Sequence, residues 1–463
     1  MDIIKIKGIR ALLSSRWFPL VLQVMTLAAF GLLIAGGIGV STDDANLTKE
    51  LRNTNLANLL VWCYWWPLII MAAILLGRIW CTACPVELAS YLASRIGLRL
   101  KVPRLFKSGW VITIFYALIL IIGVHTLEIH RIPNRMAMYL LMLFTVAVIT
   151  GLIYEKRAFC SYICPVGHLL GLYAAIAPLE WRADDTSICK GCRTKDCIAK
   201  RNRYLLAGRS CTSNLYPATI KDNRDCILCT QCFKACPFGN LRLSTRPPLV
   251  DFFRGIELRA AQIGFILLLS GFVIYEILSE WPVSKTILTY VPNYIDNALR
   301  ITGPLAAYTS AAVMFIIFPA CLFLAVVALA RRKSDVSSIT LAKGFALLLL
   351  PTMAAAHLIK AIVKMTSRFS YWPYAISDPA GIETARKILD KEIVIKQSLG
   401  SVFDALISFA FAGLLVIALG ATLSVFRKSP NINRFGTNAK VVLFLGMVIY
   451  WGIFALTVFG WRF

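Results

Sequence analysis

Apolar residues along this chain come in long, nearly unbroken runs, not in the alternating or 3.6-residue rhythm of a water-soluble core. Crossing a bilayer takes roughly 20 residues of apolar helix. Runs of that length fall at about 17–40, 57–77, 109–127, 136–154, 260–280, 305–330, 340–361, 401–426 and 441–461. The pattern predicts an all-α polytopic membrane protein of about nine transmembrane helices. The first run is too long for a signal-peptide core, and no small-residue cleavage site follows it, so it reads as an uncleaved span.

The longest polar interruption is 181–250. It divides the chain into 1–180, a small insert at 181–250, and a five-span domain at 251–463 with an external loop at 364–400. Residues 1–180 are internally duplicated. Arg78, Trp80, Cys81, Cys84, Pro85 and Val86 recur as Arg157, Phe159, Cys160, Cys164, Pro165 and Val166. Same-sense repeats of this kind predict two similar halves about an axis along the membrane normal. Both cysteine pairs would then lie at one depth and face each other, with each proline ending a span.

The net charge of +25 would suggest nucleic acid on a soluble protein. On this chain it follows the positive-inside rule, and no nucleic-acid partner is expected. Lys5, Lys7, Arg10 and Arg16 place the N-terminus inside. Arg95, Arg99, Lys101, Arg104 and Lys107 fall on the same side, as do Arg331 to Lys333 and the group Arg427, Lys428 and Arg434. The loop 364–400 is basic yet falls outside. These orientations predict a multi-pass membrane protein, in contact with lipid, with the N-terminus and the insert in the cytoplasm.

Of the 14 cysteines, all but Cys63 and Cys321 fall in four clusters on the expected cytoplasmic side. That compartment is reducing, which argues against structural disulfides. The two isolated cysteines lie in apolar runs and read as small core hydrophobes. Residues 226–237 read CILCTQCFKACP, a Cys-x2-Cys-x2-Cys-x3-Cys-Pro run of the bacterial ferredoxin kind. A zinc site would instead pair two Cys-x2-Cys knuckles. In the ferredoxin arrangement the fourth cysteine serves the other cluster. Cys189, Cys192, Cys197 and Cys236 are therefore expected to hold one [4Fe–4S] cluster, and Cys226, Cys229, Cys232 and Cys211 the other. Between 182 and 246 stand 13 Lys/Arg against 5 Asp/Glu. That excess suits a nearby anionic lipid surface or docking of an acidic electron carrier.

Three readings stand side by side for Cys81, Cys84, Cys160 and Cys164: a metal or small cluster, a dithiol/disulfide couple, or reduced thiols that are merely packed. Ionisable residues inside the other spans are functional candidates by default. Glu276 and His357 are candidate proton acceptors of a quinol site near the outer face. Lys360 and Lys364 share a helical face with His357 and read as snorkelling side chains. The amphipathic stretch 380–392 reads as an interfacial helix or a docking helix.

The layout resembles the membrane-bound ferredoxin-type proteins of the NapH/NosR/CcoG kind. The likeness rests on Cys160, Cys164 and Pro165, on Cys226 to Pro237, and on Cys81 and Cys84 with one residue fewer between them. It covers roughly residues 1–250. It implies electron transfer between a quinol or cytoplasmic donor and another redox protein at the inner membrane. The chain would then act as an oxidoreductase component carrying two [4Fe–4S] clusters, with room for a third centre at the membrane-edge cysteines and for a quinone. The other function the resemblance offers is assembly: reduction of a metal or a disulfide during maturation of a periplasmic metalloenzyme.

Overall fold

The computed structural model describes residues 2–395 and 403–463. The end of the expected loop 364–400 and the first two residues of the expected eighth span lie outside the described residues. Among the described residues, 8 helices are long and apolar enough to cross a membrane: Leu20–Gly37, Leu56–Leu76, Pro133–Ile153, Ala260–Leu278, Pro304–Arg331, Ser338–Ser377, Asp404–Lys428 and Thr437–Arg462. The expected third span is the shorter apolar helix Trp110–Thr126. The protein is thus an all-α membrane protein with a small two-stranded insert, as its hydropathy pattern predicts.

Two of the long helices carry an internal proline just after a wide π-helical turn. Leu60–Trp65 precedes Pro67, and Val313–Ile317 precedes Pro319. The wider turn moves the carbonyl that the proline ring would strike, so each helix continues past a residue that would otherwise break it. One long helix lies between two apolar runs. Pro282–Ala298 is amphipathic and exposes Ile287, Tyr290, Val291 and Tyr294.

The chain forms two compact units that interleave along the sequence. The first comprises Met1–Leu32, Ile69–Ile112 and Leu141–Ile256. Its insert is framed by two antiparallel strands, β1 (Leu179–Ala183) and β2 (Leu241–Thr245), in the register Leu179↔Thr245 to Ala183↔Leu241. Leu179, Trp181, Ala183, Leu228 and Leu241 form a core that Ile4 and Leu13 of the N-terminal segment complete. Arg246 and Asp251, both fully buried, close the far end of the sheet as a two-pronged pair, with Arg246 Nη2 donating to Asp251 Oδ2 at 2.9 Å. Helices Pro133–Ile153 and Pro85–Ile96 meet at Gly151. A Cβ there would lie 2.5 Å from the Ser90 carbonyl oxygen, so only glycine permits the approach.

The second unit comprises Leu33–Leu68, Thr113–Leu140 and Glu257–Phe463. Its central element is helix Ser338–Ser367, buried along nearly its whole length from Leu341 to Val363. Gly271 of Ala260–Leu278 lets the backbone of Phe315 come close; a Cβ would sit 2.8 Å from its carbonyl oxygen. Helix Ile382–Leu389, within the expected amphipathic stretch, buries Ala385 against Leu47 and Leu51 of Ala45–Thr54. Its apolar face is therefore covered within its own unit.

Candidate iron–sulfur centres

The eight insert cysteines line two separate cavities. Cys226, Cys229, Cys232 and Cys211 line one, with Trp181, Ile227 and Leu228. Cys189, Cys192, Cys197 and Cys236 line the other, with Tyr216, Pro237 and Phe238. Cys236 is thus grouped with Cys189, Cys192 and Cys197, and Cys211 with Cys226, Cys229 and Cys232. Cys211, which stands apart from the rest in sequence, joins the set through its backbone N–H, which donates to the Cys197 carbonyl at 2.8 Å.

Local backbone geometry explains the curl of the CILCTQC loop. Leu228 and Thr230, one in each two-residue gap, have φ of 61° and 59°. Left-handed backbone at such residues is uphill by about 1–3 kcal/mol and persists only where surroundings hold it. Here Thr230 Oγ1 donates to the Leu13 carbonyl at 3.1 Å and Leu228 is packed in the core. Each cavity also receives a polar hydrogen. Trp181 Nε1 donates to Cys232 Sγ at 3.1 Å, and Asn240 Nδ2 to Cys189 Sγ at 3.3 Å. Both donors belong to or adjoin the two-stranded sheet, and neither was anticipated from sequence, since nothing local to a tryptophan or an asparagine marks it as a sulfur partner.

Burial dominates the thiols of the first cavity. It pushes Cys226 up to about 12 and raises Cys232 and Cys211, the Trp181 N–H working against it at Cys232. At the second cavity, burial pushes Cys197 up to about 11, while the backbone N–H of Lys195 lowers Cys192 at the solvent edge. A free thiol so placed keeps its proton, and a metal must displace it. Soft, mutually close sulfurs around an apolar-walled cavity suit iron–sulfur chemistry. Among the described residues no three His, Cys, Asp or Glu are grouped to hold a single metal ion.

The duplicated motif folds the same way twice. Arg78 and Arg157 each cap a one-turn helix, Ile79–Ala83 and Ala158–Tyr162, that carries the first cysteine. The second cysteine is the N-cap of the next helix, Pro85–Ile96 or Pro165–Ala174. The prolines therefore open these helices at their first position and do not end the spans, which stop earlier, at Leu76 and Ile153. The extra residue of the second copy is Ile163, taken up between the two short helices. The Cys164 thiol accepts the backbone N–H of Gly167, three residues on, at 3.3 Å. The four thiols lie within reach of one another's charge. Burial raises Cys84 well above the ordinary thiol range and pushes Cys164 up to about 12.

Buried charge surrounds this set. Arg78 Nη2 donates to Cys81 Sγ at 3.6 Å, and the Arg157 charge works against the burial that raises the Cys160 thiol. Glu87, 1% exposed, accepts from Gln23 at 2.6 Å and Arg209 at 2.9 Å, and pairs with Arg157 at 3.4 Å. Both motifs are also tied to the first cavity. Arg78 Nη1 donates to the Arg224 carbonyl at 2.8 Å and Thr82 Oγ1 to the Ile227 carbonyl, on either side of Cys226. Arg157 Nη1 donates to Ser213 Oγ at 3.2 Å, beside Cys211.

The intramembrane candidates lie in the second unit. Glu276 pairs with Lys364 at 2.6 Å and with Lys360 at 3.7 Å, and Lys360 also pairs with Glu280. The lysines do not snorkel as expected: a carboxylate within the same unit holds them in the interior, because an unpaired ammonium there would be far costlier. His357 is 4% exposed and packs between the rings of Trp66 and Phe272. Cys63 is buried, as expected of a core residue, whereas Cys321 is exposed on its helix.

A family model described as a 4Fe-4S binding domain matches this chain twice, at residues 58–103 and 136–182. Each match takes in one copy of the duplicated motif, and both stop short of the eight insert cysteines. An uncharacterized protein of Methanocaldococcus jannaschii is 26% identical over 182 residues, which is 38% of this chain and 68% of that protein. Protein NirI of Paracoccus denitrificans is 27% identical over 192 residues, 36% of this chain but only 26% of its own length. No solved structure matches. These matches, with eight helices among the described residues long and apolar enough to cross a membrane, support a membrane 4Fe-4S protein of the ferredoxin type.

Proposed function

We propose that the protein relays electrons at the bacterial inner membrane, between a cytoplasmic donor or quinol and another redox protein, through two [4Fe–4S] clusters held in the insert on the cytoplasmic side. One observation carries this reading. The insert's two four-cysteine cavities lie in one compact unit, and the inner of the two is hydrogen-bonded on both flanks to the helix ends that carry the membrane-edge cysteines. Clusters of this kind, when bound, supply one-electron chemistry at potentials set by hydrogen bonds to sulfur, charge and exposure.

The chain's own residues do the rest. Cys189, Cys192, Cys197 and Cys236 hold the outer group near solvent; Cys226, Cys229, Cys232 and Cys211 hold the inner one. The N-terminal segment excludes water from the inner cavity by packing Ile4 and Leu13 against Trp181 and Leu228. Trp181 and Asn240 fix the orientation of one thiolate in each set and favour its negative charge. Beside the outer cavity, Ile188 and Phe238 are exposed, with Lys190, Arg193 and Lys195 around them. An apolar centre with a basic rim suits a soluble, acidic electron carrier.

The test uses the full chain in sealed vesicles, reduced by dithionite, which does not cross the bilayer. Visible absorbance should bleach only in vesicles with the insert outward, and should recover on adding a short-chain quinone or an oxidised acidic ferredoxin. Bleaching with the opposite orientation, or no recovery with either acceptor, would refute the relay.

A further inference from the structure

We propose that residues 198–210 and the loop 95–107 together form a foot that rests the insert on the bilayer and binds anionic phospholipid headgroups in the leaflet on the insert's side. The proposal depends neither on the relay nor on which cofactors the cysteines hold. It gives a role to the thirteen residues between Cys197 and Cys211, an insertion that compact ferredoxin spacing does not need.

The two segments meet within the first unit, at the end of a span. Leu98 and Leu100 donate their backbone N–H groups to the carbonyls of Leu152 and Ile153 at 2.6 and 2.9 Å, and the Glu155 N–H donates to the Leu100 carbonyl at 3.0 Å. Leu152 and Ile153 are the last residues of helix Pro133–Ile153, and Glu155, Lys156 and Arg157 follow them. The loop 95–107 therefore lies level with the edge of the hydrocarbon. Gly97 permits the approach, since a Cβ there would stand 2.2 Å from the Leu152 carbonyl oxygen. Residues 198–210 are strapped to the same place. Tyr91 Oη donates to the Leu205 carbonyl at 2.6 Å, the Arg99 guanidinium lies 4.4 Å over the Tyr204 ring, and Arg203 pairs with Glu155.

The side chains on this surface select lipid. Ile96 is 84% exposed, Leu98 72%, and Leu205 and Leu206 47% and 51%. Leu205 and Leu206 belong to no span, so a helix facing acyl chains does not account for them. Grouped aliphatic side chains left open in this way mark a surface that something covers. Between 95 and 107 stand five Lys/Arg and no acid, and between 198 and 210 four and no acid. Among the described residues Lys101, Arg104, Lys107 and Lys200 have no carboxylate partner, whereas Arg201 and Arg203 are paired with Asp196 and Glu155. Unpaired bases around aliphatic side chains, at the depth where a span ends, match phosphates above acyl chains: the leucines dip in and the bases reach up to the headgroups. A soluble acidic carrier would answer the charge, but level with the bilayer edge it would have to displace lipid to reach the leucines.

The experiment titrates the detergent-purified full chain with phosphatidylglycerol or phosphatidylcholine and counts bound lipid by native mass spectrometry. Each base near an anionic surface contributes about a fivefold gain in binding. Changing Lys101, Arg104, Lys107 and Lys200 to Gln should therefore weaken phosphatidylglycerol binding by about fivefold or more and leave phosphatidylcholine binding unchanged. Equal binding of the two lipids by the parent, or an unchanged preference in the variant, overturns the site. A second variant, Leu206→Trp, places a fluorophore on the foot of the full chain in reconstituted bilayers. The fluorescence it adds should be quenched by brominated phospholipid and shielded from iodide in the water; the reverse overturns the foot's placement in the bilayer. An oxidised acidic ferredoxin that binds the parent and not the four-base variant, with lipid binding the same in both, overturns the lipid assignment in favour of a soluble carrier.

Discussion

Replacing Trp181 by Phe tests the insert's geometry at a single atom. The indole Nε1 lies 3.1 Å from Cys232 Sγ, the ring is 1% exposed, and it packs edge-on against Phe233 at 5.8 Å. Phenylalanine keeps most of the ring and loses only the donor. A hydrogen bond to a charged acceptor contributes about 1.5–3 kcal/mol. One added electron is shared among the cluster sulfurs, so about a quarter of a charge reaches Cys232. The bond should then favour the reduced state by about 0.4–0.8 kcal/mol, a quarter of its full strength. For a one-electron couple this corresponds to a fall of about 15–35 mV in the variant. An EPR-monitored redox titration of the full chain in detergent measures it, with the outer cluster as internal reference. A potential that stays put or rises, in a variant with unchanged iron content, would refute the placement of Cys232 as a ligand beside Trp181.

Other substitutions probe the surroundings. Glu87→Gln removes the carboxylate shared by Arg157 and Arg209, and breaking a buried pair in this way should cost about 3–5 kcal/mol, read as a lowered unfolding midpoint of the detergent-solubilised protein. An unchanged midpoint would show that the arginines find their balance elsewhere. Cys211→Ser should remove about 4 irons, those of the inner cluster, and leave the outer cluster's spectrum intact; loss of the outer spectrum instead would reassign Cys211. Cys321→Ser, on an exposed helix face, should change neither iron content nor spectra, and any loss of iron would contradict its placement away from the centres.

Much of the site is legible in the sequence because cluster ligands come at fixed, short spacings. Cys226 to Cys236 set out their own loop, and the crossed partition follows from how such a loop must point its last thiol. Cys211 was harder, because its place depends on a backbone bond to Cys197 across an insertion. The duplicated motif is visible as a repeat, yet its prolines open helices where the sequence pattern predicts span ends. The same residue ends one helix or begins the next depending on the residue before it, and here that residue is a cysteine with extended backbone. Glu87, Arg209 and Gln23 left no signal, since each looks ordinary alone and they meet only through tertiary packing. The lysines of Ser338–Ser367 were misjudged for the same reason: their carboxylate partners are on another helix. The amphipathic helix Pro282–Ala298 escaped notice because its apolar stripe is too narrow to register as a run.

The central claim is the crossed sharing of cysteines between the two insert clusters, and Cys236 tests it most directly. Cys236→Ser, Cys192→Ser and Cys229→Ser would be compared by EPR of the reduced full chain. The account predicts that Cys236→Ser alters the same signal as Cys192→Ser and leaves untouched the one altered by Cys229→Ser. A Cys236→Ser spectrum that instead matches Cys229→Ser would contradict it.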